Sequence, residues 1–170
     1  MNDYAMKIAA DTVRVMRDLP GSLDQVWSYL VESDKRGKWL AVGELEPRAG
    51  GSFTFTWFNS KLSAHNEEPP EEYRGAHSMT GRVLEWEPPH RLRISWGERD
   101  SEVLFELEPN GTGTRLVLTH ERLADRSQML GVSGGWHAHL DILVDRLNGV
   151  EPRPFWSNHA RLRDHYEKTL

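Results

Sequence analysis

The feature that most constrains this fold is a change of hydrophobic period near Glu44, from the 3.6 residues of a helix to the two residues of a strand. After this point apolar and polar side chains alternate cleanly in the segments 52–57, 91–96, 102–108 and 115–120. Such alternation gives a strand one buried face and one wet face, which is typical of antiparallel sheets. Turn signals at Pro88-Pro89 and Asn110-Gly111 separate the strands. The pattern predicts an antiparallel sheet of about six or seven strands.

Two further strands and one loop follow from the same reasoning. Thr12 to Met16 alternates and ends at a Leu-Pro-Gly break, which predicts an opening strand. Gly75 to Trp86 is predicted to be a longer strand, with a β-bulge where its alternation slips at Val83-Leu84. The segment from Asn59 to Arg74 is rich in proline and glutamate and is predicted to be a mobile acidic loop.

Helical patterns flank the strands. Ser22 is predicted to cap a first helix, and Ser33 to Leu40 is predicted to contain a second short one. After the last strand, apolar residues recur with helical spacing at Trp136, Leu140, Leu143 and Leu147. Asn148-Gly149 predicts the end of that long helix, and 157–168 a terminal one. This element order predicts an α+β helix-grip fold, in which a curved antiparallel sheet wraps around a long C-terminal helix.

A set of ordered segments carries a family resemblance. The segments are Trp27, Trp39, 46–53, 81–92, 113–121 and 135–136. In this order they resemble the bacterial proteins named after the activator of Hsp90 ATPase, within the START/Bet v 1-like (SRPBCC) superfamily. The resemblance covers about residues 12–148, so we expect a single domain, 1–170, with 149–170 as a C-terminal extension. It implies a hydrophobic cavity between the sheet and the C-terminal helix.

The resemblance also implies Hsp90 stimulation, but only for the eukaryotic members that gave the family its name. Those activators carry a separate N-terminal domain that contributes to chaperone engagement. In the present chain the first predicted strand begins near residue 12. The family name is therefore not taken as the activity.

Composition narrows the possible partners. Asp and Glu total 26 against 21 Lys and Arg, a formal net charge of −5, so we expect no nucleic-acid partner. The chain has no cysteine, which excludes thiolate metal sites and cysteine nucleophiles and is compatible with a reducing compartment. Charged residues interrupt the first twenty positions, and no apolar run approaches the roughly 20 residues of a membrane span. We therefore expect a cytoplasmic protein without a membrane segment.

One run matches a catalytic motif. Gly131 to Gly135 satisfies G-x-S-x-G, and Asp141 and His159 follow in the chain order of a hydrolase triad. A nucleophile elbow needs a buried strand before the serine, whereas Ser133 follows a polar, helix-like segment in an antiparallel fold. We therefore expect Ser133 to cap or bend a helix, and the two glycines after it to allow close approach of helix and sheet.

The histidines and carboxylates predict no metal site and no cofactor. On a helix, His137 and His139 point about 200° apart and cannot share a metal through one face. His137 and Asp141 could share a face, but no third ligand follows from the spacing, so a surface pair is expected. The strand glutamates 102, 106 and 108 and the aspartates 141 and 145 are expected to be solvated, which leaves no catalytic residue assigned.

His120 continues the inward face of Leu116 and Leu118 and must find a partner there. Three roles remain open for it: a histidine satisfied at the rim of the core, a polar anchor for a ligand, or a catalytic base. Inward positions of a cavity fold are also its lining. The expected cavity-lining residues are Phe53, Phe55, Trp57, Trp96, Phe105, Leu118, His120, Trp136 and Leu140.

The sequence therefore favours a non-enzymatic binding protein that holds a small hydrophobic or aromatic molecule in that cavity. One alternative is a module that acts on a chaperone or another protein through the acidic segment 67–72. A second alternative is an aromatase/cyclase-type enzyme that uses His120 or another inward polar group. Self-association into a homodimer stays open.

Overall fold

Seven strands form one sheet in the computed structural model, which describes residues 2–170. The strands are β1 (Met6–Ala9), β2 (Thr12–Leu19), β3 (Ser52–Trp57), β4 (His77–Glu87), β5 (Arg91–Trp96), β6 (Ser101–Asn110) and β7 (Gly113–Glu121). Their spatial order is β1-β2-β7-β6-β5-β4-β3, and all neighbours are antiparallel. The predicted sheet is confirmed, while β1 was not predicted because its side chains show no dry face.

Four helices accompany the sheet: α1 (Leu23–Val31), α2 (Ser33–Arg36), α3 (Arg126–Leu147) and α4 (Phe155–Thr169), with 3₁₀ turns at Asn59–Lys61 and Glu71–Tyr73. Ser22 caps α1 as predicted, since its Oγ accepts from the amide of Gln25 at 3.2 Å. Asp125 caps α3 in the same way through the amide of Gln128. The long helix α3 packs on the inner face of the sheet through Trp136. The helix-grip prediction is confirmed.

The inner and outer faces of the sheet differ as the alternation predicts. Leu92, Ile94, Phe105 and Leu118 are at most 2% exposed and form the inner wall of the core. On the outer face, Arg93 Nη1 lies 3.2 Å from Glu102 and 3.1 Å from Glu121. Glu102 is thus paired with an arginine on the outer face, as is Glu106, which lies 3.0 Å from Arg91 Nη1, while Glu108 is exposed. The predicted bulge is present as well, because the β4–β5 register shifts between Val83 and Glu85.

The segment predicted to be a mobile acidic loop is instead docked on α4. Glu67 accepts hydrogen bonds from the amides of Trp156 and Ser157, both at 2.9 Å. These amides open α4 and have no partner within the helix, so a carboxylate there satisfies them and meets the positive end of the helix dipole. Burial opposes this ionisation, but the hydrogen bonds of Ser157 and Trp156 outweigh it and keep the pKa of Glu67 low.

A buried polar cluster, here called the Asp141 cluster, corrects the expectation of a surface His137–Asp141 pair. Asp141 Oδ1 lies 3.3 Å from Arg17 Nη2, and its Oδ2 lies 3.6 Å from His137 Nε2. His137 Nδ1 and the Tyr166 hydroxyl are 2.7 Å apart, and that hydroxyl accepts from the amide of Ala5. The prediction was wrong because α4 and the N-terminal residues cover this face of α3.

Asp145 was also expected to be solvated, and the structure corrects this too. Its side chain is largely buried and accepts three hydrogen bonds from Arg153, at 2.7 to 2.9 Å. Burial opposes the charge of Asp145, but the contacts of Arg153 outweigh it and lower the pKa of the carboxyl group. The pair fixes the chain where it turns from α3 into α4.

Candidate functional site

Three indole rings line a cavity between the sheet and α3, here called the tryptophan pocket. Trp57 and Trp96 have ring centroids 5.7 Å apart, and Trp96 and Trp136 have theirs 4.9 Å apart. The pocket has a volume of 160 Å³. Its walls are formed by Leu40, Trp57, Trp96, Gly131, Val132, Gly135, Trp136 and His139.

A second cavity, here called the histidine pocket, has a volume of 190 Å³ and adjoins the first. The two pockets share Trp57, Gly131, Gly135 and His139. The rest of the histidine pocket comes from the docked acidic segment, the start of β4 and the start of α4: Asn59, Tyr73, His77, Phe155, Trp156 and His159. Sequence reasoning did not find this pocket, because the segment 59–74 was expected to be mobile.

Glycines open the wall of α3 toward both pockets. A Cβ atom at Gly131 or Gly135 would meet no other atom within 4 Å, so neither glycine serves a close approach to the sheet. Gly134 points elsewhere, toward the backbone of Arg163 in α4, at 3.9 Å. The expectation that Gly134 and Gly135 let the helix approach the sheet is therefore wrong. Glycine inside a helix costs about 0.5–1 kcal/mol relative to alanine, and the space it leaves here is empty.

Ser133 lies in the middle of α3 and neither caps nor visibly interrupts it. Its Oγ is buried without a hydrogen-bond partner, and neither pocket includes this residue. The helix begins seven residues earlier, at Arg126, where Asp125 supplies the cap. The G-x-S-x-G run therefore has no nucleophile-elbow geometry, as expected, but its serine does not play the capping role that was predicted.

His139 offers one ring nitrogen to the protein and leaves the other without a partner. Its Nδ1 lies 2.8 Å from the carbonyl oxygen of Trp39, and since a carbonyl only accepts, Nδ1 carries the proton. Burial lowers the pKa of His139 to about 4, so the ring is neutral at pH 7. Nε2 is then an unprotonated acceptor, and no side chain or backbone group within residues 2–170 bonds to it.

His120 is engaged through both ring nitrogens. The indole Nε1–H of Trp136 donates to its Nδ1 at 3.0 Å, and its Nε2 lies 2.7 Å from the Ser101 hydroxyl. Burial lowers the pKa of His120 to about 4. Of the three roles considered for this residue, these contacts match the first, a histidine satisfied at the rim of the core, except that His120 is fully buried rather than at the rim. It holds the Trp136 ring that walls the tryptophan pocket.

The residues expected to line a cavity divide into two groups. Trp57, Trp96 and Trp136 lie in the walls of the tryptophan pocket. The others are buried in the core and form no part of either pocket: Phe53, Phe55, Phe105, Leu118, His120 and Leu140. Sequence reasoning missed Leu40, Val132 and His139, together with the cavity-facing glycines. The signal for the glycines was present, because three glycines within five residues are unusual inside a helix.

Among residues 2–170, no group of three or more histidine, aspartate or glutamate side chains is arranged to hold a metal ion. In the same part of the chain, none of the helices combines the length and the apolarity that crossing a membrane requires.

A curved antiparallel sheet that grips one long helix, with aromatic pockets between them, defines a helix-grip protein. The chain belongs to the family described as Activator of Hsp90 ATPase homolog 1-like protein, whose model matches residues 21–148. The resemblance seen in the sequence is thereby confirmed. No curated protein sequence matches the chain significantly.

Solved structures give the same fold. The chain is similar to the solution NMR structure of the protein encoded by gene BPP1335 from Bordetella parapertussis, with 41% identity, coverage of 99% of this chain and 91% of that chain, and a TM-score of 0.84. CalU16 from Micromonospora echinospora shares the fold at 24% identity, over 96% and 92% of the two chains, with a TM-score of 0.67. DynU16, described as a putative protein in the dynemicin biosynthetic locus, shares it at 22% identity, over 86% and 51%, with a TM-score of 0.65.

Proposed function

We propose that the protein is a non-enzymatic binding protein that holds a small hydrophobic or aromatic molecule between the sheet and α3. The observation that carries this proposal is the pair of glycines that face the pockets. Alanine at Gly131 or Gly135 would favour the helix and would touch no neighbouring atom. The chain instead keeps open volume beside three indole rings, at a cost in helix stability.

The size and walls of the pockets indicate the kind of molecule. An apolar cavity of about 150 Å³ accommodates benzene. The tryptophan and histidine pockets, of 160 and 190 Å³, adjoin along Trp57 and His139 and together match a fused two-ring aromatic molecule. Indole faces favour flat aromatic partners in stacked or edge-to-face contact.

The two alternative functions have less support. An interaction module would use the acidic segment 67–72, but Glu67 is occupied in capping α4, and Glu72 lies 3.5 Å from Arg163. An aromatase/cyclase-type enzyme would use His120, whose ring nitrogens are both bonded inside the protein. His120 is therefore not available to a substrate, and the acidic segment offers a partner only its exposed glutamates Glu68, Glu71 and Glu72.

The test is binding of naphthalene and of 2-methoxynaphthalene, followed by ligand-observed NMR. Gly135→Leu places a side chain in the shared wall of both pockets, and we expect it to weaken binding by about tenfold or more. Ser127→Leu adds the same side chain about two turns earlier on α3, outside both pockets, and serves as the matched control. Leucine has a higher helix propensity than the glycine or serine it replaces, so both variants should stay folded.

The proposal fails if neither probe binds the unaltered protein. It also fails if Gly135→Leu binds both probes as well as the Ser127→Leu control does, because binding would then occur elsewhere on the surface.

A further inference from the structure

The histidine pocket carries hydrogen-bond acceptors that have no donor. Only three side-chain polar atoms in the described chain, residues 2–170, are both buried and unpaired: Arg36 Nε, Asn59 Oδ1 and Ser133 Oγ. Of their residues, Asn59 alone belongs to a pocket wall. Its unpaired atom is a carbonyl oxygen, which can only accept.

His139 adds a second acceptor to the same wall. The hydrogen bond from its Nδ1 to the Trp39 carbonyl fixes the tautomer, so the lone pair of the neutral ring is at Nε2. Burial also disfavours protonation of this ring, because the charged form would lose its hydration. The residues of the pocket wall thus include a buried amide oxygen and an imidazole lone pair, and neither has a partner within the protein.

The remaining side chains of the wall are rings, two of them the imidazoles of His77 and His159. Tyr73 stacks on Trp156 with ring centroids 5.6 Å apart, and Phe155 stacks on His159 at 5.9 Å. Flat rings of this kind favour a planar ligand. An acceptor without a partner in the protein gains a hydrogen bond only from a ligand that carries a donor.

We propose that the histidine pocket takes a neutral aromatic molecule that carries hydroxyl groups, a phenol or a fused-ring phenol, whose O–H donates to Asn59 Oδ1 or His139 Nε2. This inference rests on the proposed function, since it names the class of ligand for the same cavity. It goes further because it assigns the specificity to acceptors that the protein leaves unpaired.

The experiment compares three probes of one skeleton: naphthalene, 2-methoxynaphthalene and 2-naphthol. Only 2-naphthol has a donor, while the methyl ether keeps an oxygen at the same position. We expect 2-naphthol to bind about tenfold more tightly than 2-methoxynaphthalene, the typical gain when an otherwise unpaired acceptor is satisfied.

Two variants test which acceptor is responsible for the tighter binding of 2-naphthol. Asn59→Leu removes an acceptor that has no partner in the protein, so the fold should tolerate it. His139→Phe removes the imidazole lone pair and keeps a ring. In at least one of them the affinity ratio should fall to about threefold or less, through weaker 2-naphthol binding. His165→Phe makes the same ring exchange outside both pockets and should keep the full ratio.

The outcomes separate the two proposals. If none of the three probes binds, the proposed function itself fails. If all three bind equally, the cavity binds aromatic molecules but the donor assignment is overturned, with ordered water as the partner of the acceptors. If 2-naphthol is preferred and both variants keep the full preference, the assignment to Asn59 and His139 is overturned.

Discussion

His137 and His139 lie two positions apart on α3 and are almost equally buried, at 4% and 6% exposure, yet their surroundings differ completely. His137 meets Tyr166 on one side and Asp141 on the other, within a cluster that joins α3, α4 and β2. His139 meets the Trp39 carbonyl on one side and a pocket on the other. Burial of a histidine therefore does not distinguish a ring held on both sides by the protein from a ring that lines a cavity. The number of its polar atoms that find partners inside the protein does.

The largest effect should come from breaking the Asp141 cluster. Asp141→Ala leaves the Arg17 guanidinium, whose side chain is 3% exposed, as a buried charge without its carboxylate. Removing one partner of a buried ion pair costs about 3–5 kcal/mol, so we expect a loss of that size in the free energy of unfolding, measured by urea denaturation.

Asp145→Ala is the matched control for that measurement. Its partner Arg153 has a side chain that is 40% exposed and also lies 3.4 Å from Asp141, so it keeps a carboxylate nearby and can turn to solvent, and we expect a clearly smaller loss. Equal losses in the two variants would contradict the idea that a stranded buried charge governs the Asp141 cluster.

The next effect concerns pH and the neutral ring of His139. Its pKa falls from an unfolded value near 6.5 to about 4 in the folded protein. Between these values the unfolded chain binds more protons, so folding stability decreases as pH falls from about 6.5 to about 4. A buried histidine shifted this far contributes up to about 3 kcal/mol of that decrease.

His139→Phe should therefore show a smaller loss of stability between pH 7.5 and pH 4.5 than the unaltered protein, measured by urea denaturation at both values. The comparison uses the pH-dependent difference, because the variant also deprives the Trp39 carbonyl of a donor at every pH. An unchanged difference would mean that His139 is already protonated or exposed in the folded state.

A smaller loss in the free energy of unfolding is expected when the Tyr166 hydroxyl, which contacts His137, is removed. Tyr166 is fully buried, and its oxygen accepts from the Ala5 amide at 2.7 Å while lying 2.7 Å from His137 Nδ1. Tyr166→Phe leaves both groups unpaired, which should cost about 1–3 kcal/mol of unfolding free energy and leave naphthalene binding unchanged. A change in naphthalene affinity would show that the two faces of α3 are coupled.

The contrast also explains what could be predicted from the sequence. Strands β2 to β7, the capped helix α1 and the inward position of His120 follow from short-range periodicity, so the spacing of apolar residues was sufficient to predict them. Short-range periodicity could not predict the partners of Asp141, because Arg17 is 124 positions away in the sequence and Asn158 belongs to the C-terminal extension. The pockets could be predicted only in part. The inward tryptophans follow from the strand and helix periodicity, whereas a glycine that leaves space open has no side chain that a hydrophobic pattern could place on one face.

The smallest expected effect tests whether a glycine of α3 keeps the pockets open. Gly135→Ala adds one methyl group where no neighbouring atom lies within 4 Å, so it causes no clash. Because alanine has a higher helix propensity than glycine, the free energy of unfolding should rise by about 0.5–1 kcal/mol. Gly134→Ala faces the Arg163 backbone at an ordinary contact distance and should stabilise α3 by a similar amount.

The two variants should differ in binding, because only Gly135 borders the pockets proposed for the ligand. We expect the affinity for 2-naphthol to be lower in Gly135→Ala and unchanged in Gly134→Ala. A gain in stability with full binding in both would mean that glycine at 135 is dispensable for the cavity. A loss of stability in Gly135→Ala would mean that the position is more tightly packed than its open surroundings imply.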